Sequence, residues 1–123
     1  MKQLLIVFLG GGTGSVARFL LSKWLNSPST GLPYGTFLAN VLGSFLIGII
    51  LGYFYKTNTI SQNTMLLLAT GFCGGFTTFS TFAYESHILL KNNDFLSFGL
   101  YAAASIIVSF AAVFLGMWLT KTI

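Results

Sequence analysis

Gly71-Phe72-Cys73-Gly74-Gly75-Phe76-Thr77-Thr78-Phe79-Ser80-Thr81-Phe82 is the stretch on which the fold turns. It holds glycines and hydroxyl residues inside an uncharged run, 57 to 84, longer than the roughly 20 residues that cross a bilayer core. A span with this composition makes a poor continuous helix, because glycine is a weak helix former and hydroxyls compete for backbone hydrogen bonds. Broken backbone in lipid survives only where protein or a water-filled cavity satisfies its polar groups. The stretch therefore predicts a third span interrupted near the bilayer midplane. The alternative is that Thr and Ser bond back onto their own helix while the glycines merely allow close packing.

Further uncharged runs lie at 24 to 55 and 95 to 120, and an apolar segment at 3 to 22 is broken only by Arg18. Of 123 residues 54% are hydrophobic and 7% charged, against about 25% charged in a soluble domain. These values predict an all-α integral membrane protein forming a single membrane domain over 1 to 123. Its four helices are expected at about 3 to 22, 35 to 55, 64 to 87 and 95 to 120. About 80 residues would then lie in lipid, leaving no room for a catalytic domain, so the chain reads as a non-enzyme. The first span lacks a small-residue cleavage site and reads as retained. Ser27-Pro28-Ser29-Thr30-Gly31-Leu32-Pro33, Lys56 to Asn63 and Lys91-Asn92-Asn93-Asp94 carry the turn chemistry between spans. Trp24, Tyr34, Tyr53, Tyr55 and Trp118 fall near the boundaries, where amphipathic rings prefer to sit.

The formal charge of +4 comes from scattered cations, which excludes the basic patch that nucleic-acid binding requires. Lys2, Lys56 and Lys121 fall on one side of the membrane and Arg18, Lys23 and Lys91 on the other. A balanced tally gives the insertion machinery little instruction, so the chain reads as able to insert both ways and form an antiparallel homodimer. A fixed orientation set by Arg18 and Lys23 is the alternative. Gly10 and Gly14, Ala39 and Gly43, and Ser44, Gly48 and Gly52 recur at four-residue spacing, which lets helices approach closely in lipid. Gly12-Thr13-Gly14-Ser15-Val16-Ala17 matches a dinucleotide-binding turn, but the first carboxylate in the chain is Glu85, so none stands where a ribose would need it. Cys73 reads as a small buried residue.

Several polar residues remain that a span does not need. Carbonyls freed at a break are hard oxygen ligands, and two breaks meeting on a dimer axis could hold a monovalent cation without a carboxylate. Phe79 and Phe82 share a helical face, and phenyl edges carry the positive part of the ring quadrupole, so they could meet a small anion. Paired core or lipid-facing rings are the plainer reading. Asn40 stands well inside a span and offers two amide protons. Tyr101, Ser105 and Ser109 form a hydroxyl stripe at four-residue spacing, suited equally to an anion path or to interhelical hydrogen bonds. Glu85 is the one carboxylate able to reach into a span; two residues from His87, it could instead snorkel to the interface. Arg18 must pair, snorkel or line a vestibule.

As a set these residues resemble the Fluc fluoride channels, the CrcB family. The resemblance rests on Gly10-Gly11-Gly12-Thr13-Gly14-Ser15-Val16-Ala17-Arg18, Gly35-Thr36 with Asn40, Gly43-Ser44-Phe45 and Gly71 to Phe82, in the family's order. It implies an antiparallel, dual-topology homodimer in the lipid of a prokaryotic inner membrane. Such a dimer would carry two pores for passive fluoride export and a structural sodium ion at its centre. On the family pattern the carbonyls of Gly74 and Thr77 would ligate that Na⁺. Phe79 and Phe82 would be the pore rings, Asn40 the donor beside them, and Tyr101, Ser105 and Ser109 the polar track. Thr36, Ser80, Thr81 and Glu85 would complete the path, and Arg18 would line the vestibule. The runner-up is a dual-topology, proton-coupled exporter of the small multidrug type, whose titrating acid would have to be Glu85.

Overall fold

A computed structural model describes residues 1–26 and 31–123. The described chain is helical, with four segments long and apolar enough to cross a membrane, and it is a multi-pass membrane protein. Helix α1 is Lys2–Leu25 and α2 is Tyr34–Thr57. The third span is divided: α3 covers 62–76, and α4 is Ser80–Lys91, with 77 to 79 outside either helix. Helix α5, Phe95–Thr122, completes the bundle. Several ends run past the sequence expectation, as Lys23, Trp24 and Leu25 continue α1 and Ile88 to Lys91 continue α4. Long cationic side chains at an interface reach water without ending the helix, so the first charge is a poor marker of a helix end.

Local chemistry fixes the remaining ends. Ser61 Oγ accepts from Thr64 N–H at 3.2 Å and starts α3, and Asp94 Oδ1 accepts from Ser97 N–H at 3.2 Å and starts α5. Asn58, at φ 51°, closes α2 in the left-handed region that Asn tolerates better than most residues. Asn93, at φ 59°, turns the chain from α4 to α5. The Ser27 to Thr30 part of the first expected turn lies outside the described residues.

Two helix pairs form the frame, α1 against α3 and α2 against α5. A Cβ at Gly14 would overlap the Phe72 carbonyl, and one at Gly75 would overlap the Gly11 carbonyl, so α1 and α3 touch backbone to backbone. Gly48 and Gly116 do the same for α2 and α5, meeting the carbonyls of Val113 and Phe45. Lipid tails are as apolar as Leu, so this close approach, rather than water exclusion, supplies the packing energy. Within α3 the turns from Leu66 to Cys73 are π-helical, which is rare over such a length, and they carry Gly71 onto Gly10.

Candidate functional site

The interruption in the third span has a specific support. Thr77 turns extended (φ −87°, ψ 157°), while its N–H and hydroxyl both still donate to the Cys73 carbonyl, at 3.0 and 2.9 Å. Thr78 is then gripped by one side chain from α2. Its N–H donates to Asn40 Oδ1 at 2.8 Å, and its carbonyl accepts from Asn40 Nδ2 at 3.1 Å. Asn40 thus replaces the helical partners that Thr78 gives up. The Thr78 hydroxyl oxygen accepts from the Thr81 N–H at 3.3 Å and lies 3.2 Å from Thr81 Oγ1, so it caps α4.

Beside this interruption lies an open groove of about 440 Å³ bordered by α2, α3, α4 and α5. Asn40, Phe79, Phe82, Ser105 and Ser109 line it, together with Gly74 and Thr77. Phe79 is 78% exposed, and its ring lies 5.7 Å from that of Phe82 at 52°; Phe82 continues to Tyr101 at 5.2 Å. The Ser105 hydroxyl is buried and has no hydrogen-bond partner among the described residues. Among the described residues no Lys, Arg, Asp or Glu borders the groove. Among the described residues no donor reaches the carbonyl oxygens of Gly74 or Thr77, which the departure from helix sets free. A Cβ at Gly74 would meet nothing nearer than the Ala69 carbonyl at 3.9 Å, so that backbone is open on one side.

A second cluster gathers around Glu85. The fully buried Thr36 donates its hydroxyl to Oε2 at 2.9 Å, Tyr101 donates to Oε1 at 2.9 Å, and Asn26 Nδ2 donates to Oε2 at 3.3 Å. The carboxylate is therefore held inward by three helices' worth of donors instead of snorkelling outward. The Thr36 and Tyr101 hydroxyls are engaged with it here, and Tyr101 stands apart from Ser105 and Ser109 in its contacts. Ser80 and Thr81 lie at the start of α4, outside the groove lining. Arg18 Nε donates to the Gly75 carbonyl at 3.0 Å, across the contact between α1 and α3. Of the two amide protons that Asn40 offers, one goes to the Thr78 carbonyl and one is kept. Asn26 had no place among the expected site residues; an Asn just past a span, next to turn residues, reads as loop.

Four apolar helices around an uncharged groove of rings, hydroxyls and an amide define a multi-span membrane protein suited to passing a small solute rather than to chemistry. The chain belongs to the CrcB family: the family model described as CrcB-like protein, Camphor Resistance (CrcB), matches residues 5–117. It is 51% identical to a protein of Gloeothece citriformis named fluoride-specific ion channel FluC, over 98% of both chains. A protein of the same name from Phocaeicola vulgatus is 45% identical, over 98% of this chain and 100% of its own length. For the Escherichia coli protein of that name the identity is 44%, over 97% and 94%. The family is one of ion channels, not of enzymes.

Proposed function

We propose that the chain is a passive, fluoride-selective channel that works as an antiparallel homodimer in a prokaryotic inner membrane and lets cytoplasmic fluoride out. The observation that carries this reading is the unpartnered Ser105 hydroxyl, buried in the wall of a groove that also holds Phe79 and Phe82. A desolvated fluoride needs donors in place of water, and a hydroxyl with no acceptor among the described residues can turn its proton toward the ion. Ring edges add weak positive potential, and the absence of Lys from the lining keeps the ion from being held too tightly to leave. The remaining Asn40 amide proton is a further donor at the same place.

The groove is open, which supports a second copy as its other wall. In the antiparallel arrangement each copy would contribute to two equivalent pores, and the interruptions at 77 to 79 would meet near the bilayer midplane. The balanced tally of Lys and Arg supports insertion in both orientations. The free carbonyls of Gly74 and Thr77 fit a hard monovalent cation; with the same pair from a second copy they would hold Na⁺, which supplies positive potential where the anion path passes. Glu85 lies outside the groove lining and its oxygens are taken up by Thr36, Tyr101 and Asn26, an arrangement that suits fixed placement better than a proton-coupled exporter's acid.

The test is release of fluoride and chloride from liposomes carrying the purified protein, read with ion-selective electrodes, with a K⁺ ionophore present and no pH gradient. Rapid fluoride release without chloride release is expected. Release that appears only when a proton gradient is imposed would overturn the channel reading in favour of the coupled exporter.

A further inference from the structure

Asn26 sits one residue past α1, with its backbone N–H still donating to the Ser22 carbonyl at 2.9 Å. Its side chain joins two opposite requirements. Oδ1 accepts from the backbone N–H groups of Gly35 at 2.7 Å and Thr36 at 3.3 Å, donors that have no partner within the first turn of α2. Nδ2 points the other way, donating to Glu85 Oε2 at 3.3 Å and lying 3.4 Å from Thr36 Oγ1. Gly35 packs directly on this amide: a Cβ there would stand 2.9 Å from Oδ1. One side chain thereby ties the end of α1, the start of α2 and the middle of α4 together.

Among the described residues the groups that hydrogen-bond to Glu85 are Asn26 after α1, Thr36 on α2 and Tyr101 on α5, none of them charged. Among the described residues it has no cationic partner within ion-pair distance, so hydrogen bonds from uncharged groups alone hold it in place. We propose that Asn26 is a positioning residue of the ion path, which rests on the channel reading above. Its amide fixes the Glu85 carboxylate, and through that carboxylate the direction of the Thr36 and Tyr101 hydroxyl protons. A fixed negative charge beside an anion path imposes a constant field, whereas a carboxylate free to rotate repels a passing anion from a varying position. Tyr101, by its ring contact with Phe82, links the cluster to the groove.

Replacement of Asn26 by Asp separates the two roles. N26D keeps an acceptor for Gly35 and Thr36 but puts a second carboxylate where Nδ2 faced Glu85. Fluoride release from liposomes is expected to slow about tenfold, the scale of losing one hydrogen bond to a charged group. In N26D/E85Q the Gln amide can donate to the Asp carboxylate, restoring the pair with donor and acceptor exchanged, and release is expected to recover beyond that of either single variant. If Asn26 only caps α2, N26D conducts like the parent protein and the second change rescues nothing, which would overturn the proposal. The parent protein in the same liposomes serves as its own check, because failure of that protein to release fluoride strikes the channel reading itself. Thermal unfolding of the four proteins in detergent reads the clamp without reference to transport. N26D is expected to lower Tm and the pair to recover it, while additive shifts would sink the clamp whatever the flux does.

Discussion

The two halves of the third span are held by different means. Helix α3 lies against α1 through glycine, with Gly10 on the Leu67 carbonyl and Gly71, and Gly14 on Phe72 and Phe76. Helix α4 meets its neighbours through side chains: the Phe82 ring lies tilted against Tyr101 and Glu85 collects donors from three elements, while Phe79, just before the helix, and Tyr84 stay 78% and 66% exposed. Backbone contact cannot be adjusted by a rotamer change, so the first half is a rigid mount. Hydrogen-bonded and ring contacts can be, so the second half is where an ion could be handed along. The division falls at the residues where Asn40 takes over the bonds of Thr78.

The largest effect is expected on the rigid side. In Gly14→Val, branched atoms must enter space already filled by the Phe72 carbonyl and the Phe76 nitrogen, 2.8 Å from a Cβ at that position. Overpacking by a methylene against side chains costs about 1–3 kcal/mol, and backbone yields less readily, so a loss of at least ~3 kcal/mol is expected. Size-exclusion chromatography in detergent should show aggregated protein in place of a single species; a monodisperse variant with the parent Tm would break the contrast between the halves.

The next test addresses the adjustable side. Phe79→Ile together with Phe82→Ile keeps apolar bulk next to the groove but removes the ring edges. Folding should survive, since Phe79 is mostly exposed and Ile keeps apolar bulk at the half-buried Phe82, whereas fluoride release should fall by about tenfold or more, equivalent to ~1.4 kcal/mol on the barrier. Unchanged flux in the double variant would remove the rings from the path.

Much of this division is legible in the sequence. Runs of uncharged residues mark the spans, because lipid tolerates few other patterns, and polar residues without an evident structural duty mark the groove: Asn40, Ser105 and Ser109 all line it. Glycine spacing marks the close helix contacts, as Gly10 and Gly14 touch α3 on the rigid side and Gly48 and Gly52 touch α5. What could not be read is partner choice. Gly74 and Gly75 remain helical while helix is lost at Thr77 to Phe79, because Asn40, distant in sequence, offers Thr78 an acceptor and a donor. The three donors to Glu85 come from 16 to 59 residues away, and nothing local to Glu85 announces them. The π-helical turns from Leu66 to Cys73 have no evident signal in an apolar run without proline.

Ser105→Ala sharpens the comparison by separating transport from stability. A hydroxyl buried without a partner gives the fold nothing in exchange for its lost hydration, so its removal should leave Tm unchanged or slightly raised. If it serves an anion, fluoride release should still drop by about tenfold, the lower end of what one hydrogen bond to a charged group represents. Equal flux with raised Tm would assign Ser105 to packing alone.

The smallest change is expected at Gly12, two residues before Gly14 on the same helix. A Cβ there meets nothing within 4 Å, because Gly12 points away from α3. Gly12→Ala should therefore keep both flux and folding, and the better helix propensity of Ala favours a small gain, up to ~1 kcal/mol in Tm-derived stability. Neighbouring glycines with opposite responses would show that close contact on one face, rather than glycine content or helix flexibility, fixes α1 on α3. A loss at Gly12 as severe as that at Gly14 would instead mean that the outer face of α1 is also covered, as it would be if a second copy packed there.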